Sequence, residues 1–528
     1  MSLLPLDPDS CYRALASRDA RFDGRFFIAV RSTGIYCRPI CPAPTAKREN
    51  VSFFATAAAA QEGGYRPCLR CRPEAAPDSG AWRGVANSGH SHAVTRALEL
   101  IELGALDSAG VADLAERLGL GERQLRRLFA DHVGASPLSV AQTRRVLLAQ
   151  QLLRETALPL TEIAFAAGFG SIRRFNEVFQ ALFQRPPSAL RHGPGARTAA
   201  PRAGEVSLLL RYRPPYDWPA MLGFLRARAI PGLEQVDDAI EGGRYVRVLE
   251  IAGQQGRVCV SHAPAQQALR VQLRASQLSL LPQVIARLRR MFDLGADPET
   301  IASQLGERDA LMARLLQERP GLRVPGCWDG FELAIRAVLG QQITVGAAIQ
   351  LSGKLLQQHG VATHSPDLEF PGLSHLFPSP AALAAVDLSP LGMPRSRAAT
   401  LSAVAQACRA TPALLERQTS LEQALASWRA LPGIGDWTAQ YIAIRQLREP
   451  DAFPAADVGL MQAIEKLEGS RPCARQLAER AQAWRPWRAY AAQHLWTAIA
   501  APLPSASPSA APPQGVGRNE TLPLPATH

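Results

Sequence analysis

The spacing of apolar residues changes along the 528-residue chain and divides it into regions of different secondary structure. Between about residues 107 and 190, apolar positions recur at the interval of amphipathic helices. From about residue 206, short segments alternate apolar and polar positions, among them "GGRYVRVLEIAG" (242–253) and "ALRVQLR" (268–274), which predicts strands. The helical spacing returns from about residue 281. The pattern predicts a multi-domain protein that is mainly α, with α+β parts.

Three stretches lack this periodicity and are rich in Gly, Ala, Pro and Ser. They cover residues 73–92, 191–205 and 502–528, and the last has the composition of a disordered tail. A chain of this length is expected to form about three or four domains. The stretches therefore separate a small cysteine-bearing module, a helical segment and a larger C-terminal body.

Composition and charge narrow the classes of protein that fit. Hydrophobic residues make up 47% of the chain, but no apolar run reaches the roughly 18 residues of a membrane span. The N-terminus also lacks the pattern of a secretory signal, so we expect a cytoplasmic protein without a membrane partner. The net charge of +12 comes nearly all from arginine and favours phosphate as a partner, although a generally basic soluble protein fits equally well.

Four of the nine cysteines form two close pairs, Cys37-x3-Cys41 and Cys68-x2-Cys71. Two such pairs let four thiolates converge tetrahedrally on one Zn²⁺ ion, which favours soft sulfur ligands. In a cytoplasmic protein this spacing favours a metal over a disulfide. A zinc ion that only stabilises a small module is the alternative interpretation, and the spacing alone leaves it open.

The residues around these cysteines resemble the N-terminal domain of the Ada alkylation-response proteins. The matching stretches are "RSTGIYCRP" (31–39), "RENVSF" (48–53) and "RPCLRC" (66–71). The resemblance implies that Cys37 is a zinc-bound nucleophile that takes a methyl group from a DNA phosphotriester, with Cys41, Cys68 and Cys71 as companion zinc ligands. Methylation would remove a negative charge beside DNA phosphates and so strengthen DNA binding. The methylated cysteine is not regenerated, so the reaction is stoichiometric.

The helical middle contains two helix-turn-helix patterns, "VADLAERLGLGERQLRRLFADHVGASP" (111–137) and "LTEIAFAAGFGSIRRFNEVFQALFQRPPSALR" (160–191). Joined by one long helical stretch, the pair resembles the AraC-type DNA-binding domain. That resemblance implies promoter DNA and RNA polymerase as partners. The residues predicted to contact bases or phosphates are Arg123, Gln124, Arg173, Arg174 and Asn176. Solvated surface charge is the alternative interpretation for each arginine.

The C-terminal body carries "LPGIGDWTAQYIAI" (431–444), in which Gly433 and Gly435 allow a helix-hairpin-helix turn to approach a DNA phosphate. Asp457 follows shortly after. With "AVLGQQITVGAAI" (337–349) and "WRPWRAYAAQHLW" (484–496), residues 206–500 resemble the AlkA-type 3-methyladenine DNA glycosylases. The resemblance implies that the strands form an α/β subdomain similar to the TATA-binding protein. It also implies that Asp457 is the catalytic carboxylate.

The same resemblance assigns the remaining substrate-binding positions. Trp437, Tyr441 and Trp496 match the aromatic pocket for the flipped base, Tyr216 and Trp218 are further candidates, and Gln342 stands at the position of the apolar wedge. Core packing is the alternative interpretation for each tryptophan. Trp437 also occupies the position of the lysine nucleophile of bifunctional relatives, which predicts a monofunctional glycosylase that leaves an abasic site without strand cleavage.

Two functions therefore remain in view. The first is a DNA alkylation sensor and glycosylase on one chain, and the second is a transcription regulator whose glycosylase-like body binds DNA without turnover. The retained Asp457 favours the first, and nothing in the sequence requires more than a monomer. The predicted domains are an Ada-type zinc-binding methyl-acceptor domain (1–76), an AraC-type DNA-binding domain (84–193), an AlkA-type N-terminal α+β domain (205–290), a helix-hairpin-helix glycosylase domain (291–501) and a disordered tail (502–528).

Overall fold

The computed structural model describes residues 7–77, 91–191, 204–364, 369–418 and 420–500. The predicted tail 502–528 lies outside the described residues. So do most residues of the two predicted linkers.

The N-terminal module is a small sheet flanked by two short helices. Strands β1 and β2 pair antiparallel, β3 lies on the other side of β1, and β2 pairs in parallel with β4, which gives the order β3-β1-β2-β4. The parallel register places Tyr36 opposite Pro67, and each is followed directly by a cysteine. The elements are α1 (Pro8–Ser17), β1 (Phe27–Val30), β2 (Ile35–Cys37), β3 (Val51–Phe54), α2 (Ala57–Glu62) and β4 (Arg66–Pro67).

Seven α-helices follow in residues 91–191. The second helix of each helix-turn-helix pattern buries one apolar edge. In the helix Glu122–Val133, the residues Leu125, Phe129 and Val133 recur every four positions and are all buried. The helix Ile172–Phe183 buries Phe175, Phe179 and Phe183 in the same spacing. The helices are α3 (Ser91–Glu102), α4 (Ala105–Ser108), α5 (Val111–Arg117), α6 (Glu122–Val133), α7 (Pro137–Glu155), α8 (Leu160–Ala166) and α9 (Ile172–Phe183).

The predicted strands form one antiparallel sheet in the order β5-β9-β8-β7-β6. Edge strand β5 alternates buried and half-buried residues, as expected for a sheet with one face on a core. Strand β7 is buried on both faces, because Tyr245 and Leu249 pack into one cluster and Val246 and Val248 into another. The elements are β5 (Glu205–Arg211), α10 (Trp218–Arg226), β6 (Glu234–Asp237), β7 (Arg244–Ile251), β8 (Gln254–Ala263) and β9 (Ala268–Ala275).

The described residues between 281 and 500 form a helical body with one two-stranded ribbon. Its large core around the buried Trp428 and Trp484 begins at Ala296, whereas its first helix packs into the cluster of the sheet. Its first elements are α11 (Leu281–Met291), α12 (Pro298–Gly306), α13 (Ala310–Glu318), α14 (Gly330–Leu339), α15 (Val345–His359), β10 (Val361–Ala362) and β11 (His375–Leu376). It continues with α16 (Pro380–Ala384), α17 (Arg395–Ala410), α18 (Leu421–Arg429), α19 (Asp436–Arg445), α20 (Val458–Glu468), α21 (Ala474–Arg480) and α22 (Arg488–Ile499).

Two hydrophobic clusters cross the boundaries between the predicted domains. Ala58 and Ala59 of the cysteine-bearing module pack with the first half of the helix-turn-helix region. The second half of that region shares one continuous cluster with the antiparallel sheet. Polar contacts add to this, since Glu155 of α7 accepts a hydrogen bond from Arg72 (2.6 Å) and another from the backbone N–H of Leu209 (3.1 Å).

No helix among the described residues has both the length and the apolar character needed to cross a bilayer. All nine cysteines lie within the described ranges, and none of them forms a disulfide bond.

Candidate functional site

The four paired cysteines converge in the N-terminal module. Cys37 ends β2 and Cys68 follows β4, so the parallel pairing of these strands places the two residues side by side. The four sulfur atoms all lie within 4.8 Å of one another, and all four side chains are buried. Soft thiolate donors in a compact group of four are the ligand set that Zn²⁺ takes in closed sites, so these residues fit that ion.

The four sulfurs differ in their hydrogen bonds. The backbone N–H of Arg70 donates to the sulfur of Cys68 (3.4 Å), and that of Arg38 donates to Cys71 (3.3 Å). Cys41 accepts one from the backbone of Ala43. Within the described part of the chain, no backbone N–H donates to the sulfur of Cys37. Such bonds draw electron density from sulfur, so the four thiolates differ in their surroundings.

Exposure distinguishes the same residue. Cys37 is 9% exposed, whereas the other three cysteines are 4–6% exposed. The neighbouring Arg38 is held by a buried ion pair with Asp23, whose backbone oxygen accepts a hydrogen bond from Arg213 of the sheet subdomain (3.1 Å). The cysteine cluster is therefore anchored to the glycosylase-like half of the chain.

The predicted helix-turn-helix contacts are all on exposed helix surfaces. Arg123 and Gln124 lie at the start of α6, and Arg173, Arg174 and Asn176 lie at the start of α9. Arg173 is paired with Glu177 on its own helix (2.8 Å), and an exposed pair of this kind contributes little stability. Each helix thus presents its polar face outward while its apolar edge packs inward.

Asp457 is the N-cap of α20, and its carboxylate is fixed by three donors. One carboxylate oxygen accepts the backbone N–H of Leu460 (2.8 Å) and the indole N–H of Trp496 (3.0 Å). The other accepts the indole N–H of Trp437 (2.5 Å). The side chain is 9% exposed, so the carboxylate is largely shielded from water. A Cβ at Gly459 would lie 3.0 Å from one carboxylate oxygen, so glycine avoids a tight contact there.

Three of the aromatic residues predicted for the base pocket, Trp437, Tyr441 and Trp496, come together here. The rings of Trp437 and Tyr441 stack with centroids 5.2 Å apart and planes within 9°. The guanidinium of Arg445 lies 5.4 Å from the ring of Tyr441 and 5.3 Å from that of Trp496. The guanidinium of Arg445 is therefore a positive charge in contact with two of these aromatic rings.

Two residues of this group, Arg445 and Phe224, were not predicted from the sequence. The ring of Phe224 lies 4.7 Å from the Arg445 guanidinium and is the third aromatic ring around it. Arg445 is buried and donates a hydrogen bond to the side-chain oxygen of Gln493 (3.0 Å). Burial lowers the pKa of Arg445 to about 10. Burial raises the pKa of Tyr441, but the positive charges of Arg445 and its neighbours outweigh this and hold the pKa below its usual value. The spacing of four residues between Tyr441 and Arg445 on one helix is the sequence feature that could have indicated their contact.

Tyr216 and Trp218 were candidates for the same pocket, and the structure does not bring them there. The Tyr216 hydroxyl donates to the backbone oxygen of Phe292 (2.7 Å), and the Trp218 indole donates to that of Gly242 (2.8 Å). Both side chains are buried in the core of the sheet subdomain, where the Trp218 ring stacks on Phe292. The polar atoms of both side chains therefore make their hydrogen bonds within that core.

The hairpin between α18 and α19 needs glycine at one position more than at the other. Gly433 has φ +79°, and a Cβ there would lie 1.9 Å from the hydroxyl oxygen of Thr400. Gly435 is the N-cap of α19, has φ −84°, and has no atom within 4 Å of the Cβ position. The wedge position Gln342 is exposed in the loop between α14 and α15 and has φ +57°.

Gly433→Ala is expected to destabilise the helical body by roughly 1–3 kcal/mol, because the new methyl group combines a strained φ with overpacking against Thr400. Calorimetric unfolding of the full chain would measure the loss as a lower transition temperature. Gly435→Ala is the matched control and should unfold close to the unaltered chain. Equal transition temperatures for the two variants would contradict the close contact between the hairpin and Thr400.

A four-thiolate zinc cluster, two helix-turn-helix units and a carboxylate beside a helix-hairpin-helix turn define a DNA-binding repair protein of the helix-hairpin-helix class. Family models agree along the chain. "Metal binding domain of Ada" matches residues 10–74, "Helix-turn-helix domain" 114–193, "AlkA N-terminal domain" 207–329, and "HhH-GPD superfamily base excision DNA repair protein" 335–489. The predicted fold class and four-cysteine zinc site are thereby confirmed.

Relatives cover nearly the whole chain. It is 42% identical over 499 residues to the probable bifunctional transcriptional activator/DNA repair enzyme AlkA of Mycobacterium tuberculosis, covering 94% of this chain and 97% of that protein. It is 36% identical to DNA-3-methyladenine glycosylase 2 of Escherichia coli over 54% of this chain and 95% of that protein. The bifunctional transcriptional activator/DNA repair enzyme Ada of Escherichia coli is 32% identical, over 36% of this chain and half of that protein. The chain belongs to the family of bifunctional transcriptional activator/DNA repair enzymes of the AlkA type.

Proposed function

We propose that this chain excises alkylated purines such as 3-methyladenine from double-stranded DNA by hydrolysing the N-glycosidic bond. We further propose that it accepts a methyl group from DNA phosphotriesters on Cys37 and then activates transcription. The observation that carries the first activity is the placement of Asp457. Its shielded carboxylate is oriented by three donors and lies next to a hairpin that suits a DNA phosphate.

The chemistry of excision follows from charge. A purine alkylated at a ring nitrogen is cationic, so it leaves readily and needs little acid catalysis. Positive charge then develops on the sugar as the glycosidic bond breaks, and a fixed carboxylate below the sugar stabilises it in a site that excludes most water. The donors on Trp437 and Trp496 support a second role for these residues, since they hold Asp457 in orientation as well as lining the pocket.

The base must leave the helix before it reaches this carboxylate. Trp437 and Tyr441 offer a stacked aromatic surface, and the exposed Gln342 can fill the space that the base vacates. A polar amide at this position can also hydrogen-bond to the orphaned partner base, which an apolar wedge cannot do.

For the sensor half, the thiolate of Cys37 attacks the methyl carbon of the phosphotriester. A carbon–sulfur bond forms, the carbon–oxygen bond breaks, and its electron pair stays on the phosphate oxygen, which leaves a diester anion and a neutral thioether. Zinc, when bound, keeps the sulfur deprotonated at neutral pH. The absence of an N–H donor to Cys37 among the described residues supports the choice of this sulfur.

The DNA-binding part of the response would use the exposed starts of α6 and α9 on promoter DNA. RNA polymerase as the protein partner of one monomeric chain is proposed from the resemblance to AraC-type activators alone.

The product of the reaction tests this proposal directly. Full-length protein incubated with methylated duplex DNA should release free 3-methyladenine and leave abasic sites in intact strands, because the Trp437 position carries no amine that could form a Schiff base. Chromatography of released bases and denaturing gels before and after alkali would measure both products. Strand breaks before alkali treatment would contradict the monofunctional mechanism, and no released base would leave only the regulator function.

A further inference from the structure

Gln341 ties the loop that carries Gln342 to the DNA-binding hairpin. Its side-chain amide donates to the backbone oxygen of Gly433 (3.0 Å) and to the hydroxyl of Thr438 (3.1 Å). These two acceptors lie on either side of the turn into α19. One side chain therefore connects the wedge loop to the turn of the hairpin and to its second helix.

Helix α17 contacts both the wedge loop and the hairpin turn. The guanidinium of Arg397 donates to the backbone oxygen of Gln341 (2.6 Å). Thr400, three residues further along the helix, lies under Gly433. A spacing of three places both side chains on one face of α17, so a single rigid element contacts the wedge loop and the hairpin side by side.

The backbone of Gln342 explains why such support is needed. A residue other than glycine at φ +57° is in the left-handed region, which is strained and persists only where neighbouring contacts hold it. Gln342 is itself exposed, and its immediate neighbour Gln341 carries the contacts. The conformation of the wedge is therefore set by its attachment to the hairpin and to α17.

We propose that Gln341 and Arg397 are positioning residues that hold Gln342 at a fixed distance from the hairpin. The phosphate contact and the insertion of Gln342 then act on the same nucleotide, which lowers the energy needed to flip a paired base. This inference rests on the proposed glycosylase function, because it assigns a role within the same reaction. Neither residue reaches the reacting atoms, so both act only through Gln342.

The test compares one lesion in two settings. A methylated purine is placed opposite its normal partner in a duplex, or in a one-nucleotide bulge where it is already unpaired and leaves no orphaned partner. Single-turnover excision by the full chain is measured for Gln341→Met and Arg397→Met. We expect a loss of about tenfold on the paired lesion and less than about twofold on the bulged lesion. Arg397→Lys keeps a donor and should restore most of the rate.

The controls are the same substitutions at exposed sites on nearby helices. Gln350→Met on α15 and Arg409→Met on α17 should leave both rates unchanged. Equal losses on the two substrates would show that Gln341 and Arg397 only support the structure, which would overturn their positioning role. No loss on either substrate would also overturn it. If the unaltered chain excises neither lesion, the proposed function and the positioning role both fail. If the unaltered chain is active but the variants keep its ratio of paired to bulged excision, only the positioning role is overturned.

Discussion

Asp457→Asn is expected to lower the rate of base release from methylated DNA by on the order of a hundredfold or more. The amide is nearly the same size as the carboxylate but lacks the negative charge that stabilises the cationic sugar. The indole N–H groups of Trp437 and Trp496 would also lose a charged acceptor. Single-turnover release of 3-methyladenine by the full chain measures the effect.

The control is Asp387→Asn, which changes an exposed aspartate of the same helical body. Its carboxylate accepts hydrogen bonds from the backbone N–H (2.9 Å) and the side chain of Ser389. This variant should release bases at the normal rate. Trp437→Phe and Trp496→Phe keep an aromatic ring while removing one donor each, so their losses should be in the same direction but smaller. Full activity of Asp457→Asn would show that the carboxylate has been misassigned.

Cys37→Ala is expected to abolish uptake of a methyl group from methylphosphotriester DNA. Among the described residues, no other cysteine of the cluster is as exposed as Cys37 while accepting no hydrogen bond from a backbone N–H. Mass spectrometry of peptides from the unaltered chain, after incubation with methylated DNA, should find one added methyl group on the peptide that contains Cys37. This measurement does not depend on the folding of a variant.

The matched control is Cys473→Ala, because Cys473 is an exposed cysteine far from the cluster in sequence. It should take up the methyl group normally. The zinc content of each variant must be measured in parallel, since Cys37→Ala also removes a ligand and can weaken metal retention. A methyl group found on Cys41, Cys68 or Cys71 instead would refute the choice of nucleophile.

Short motifs with strict geometric needs were predictable from the sequence. The pairs Cys37/Cys41 and Cys68/Cys71 indicated a four-thiolate site because tetrahedral zinc needs two close pairs, and the structure brings their sulfurs together. Gly433 indicated a turn because only glycine adopts its backbone conformation freely. The strands of the sheet were visible because one-sided burial imposes alternation, as in β5. The roles of individual site residues remain predictions until the variants are measured.

Side-chain contacts between distant segments were not predictable in this way. The sequence suggested Tyr216 and Trp218 for the pocket, but the fold uses their polar atoms in the core and places Phe224 against Arg445 instead. Position on a helix says which face a residue takes, but not which other element will cover that face. The shared core between α7–α9 and the sheet was hidden for the same reason.

By itself, the sequence determined the classes of chemistry this protein can perform, because thiolate spacing, glycine conformation and helical periodicity are local properties of the chain. Only the tertiary structure decided how those parts work together. The indole donors that orient Asp457, the uneven hydrogen bonding of the four sulfurs, and the attachment of Gln341 to the hairpin each join residues that packing, and not sequence distance, brings within bonding range.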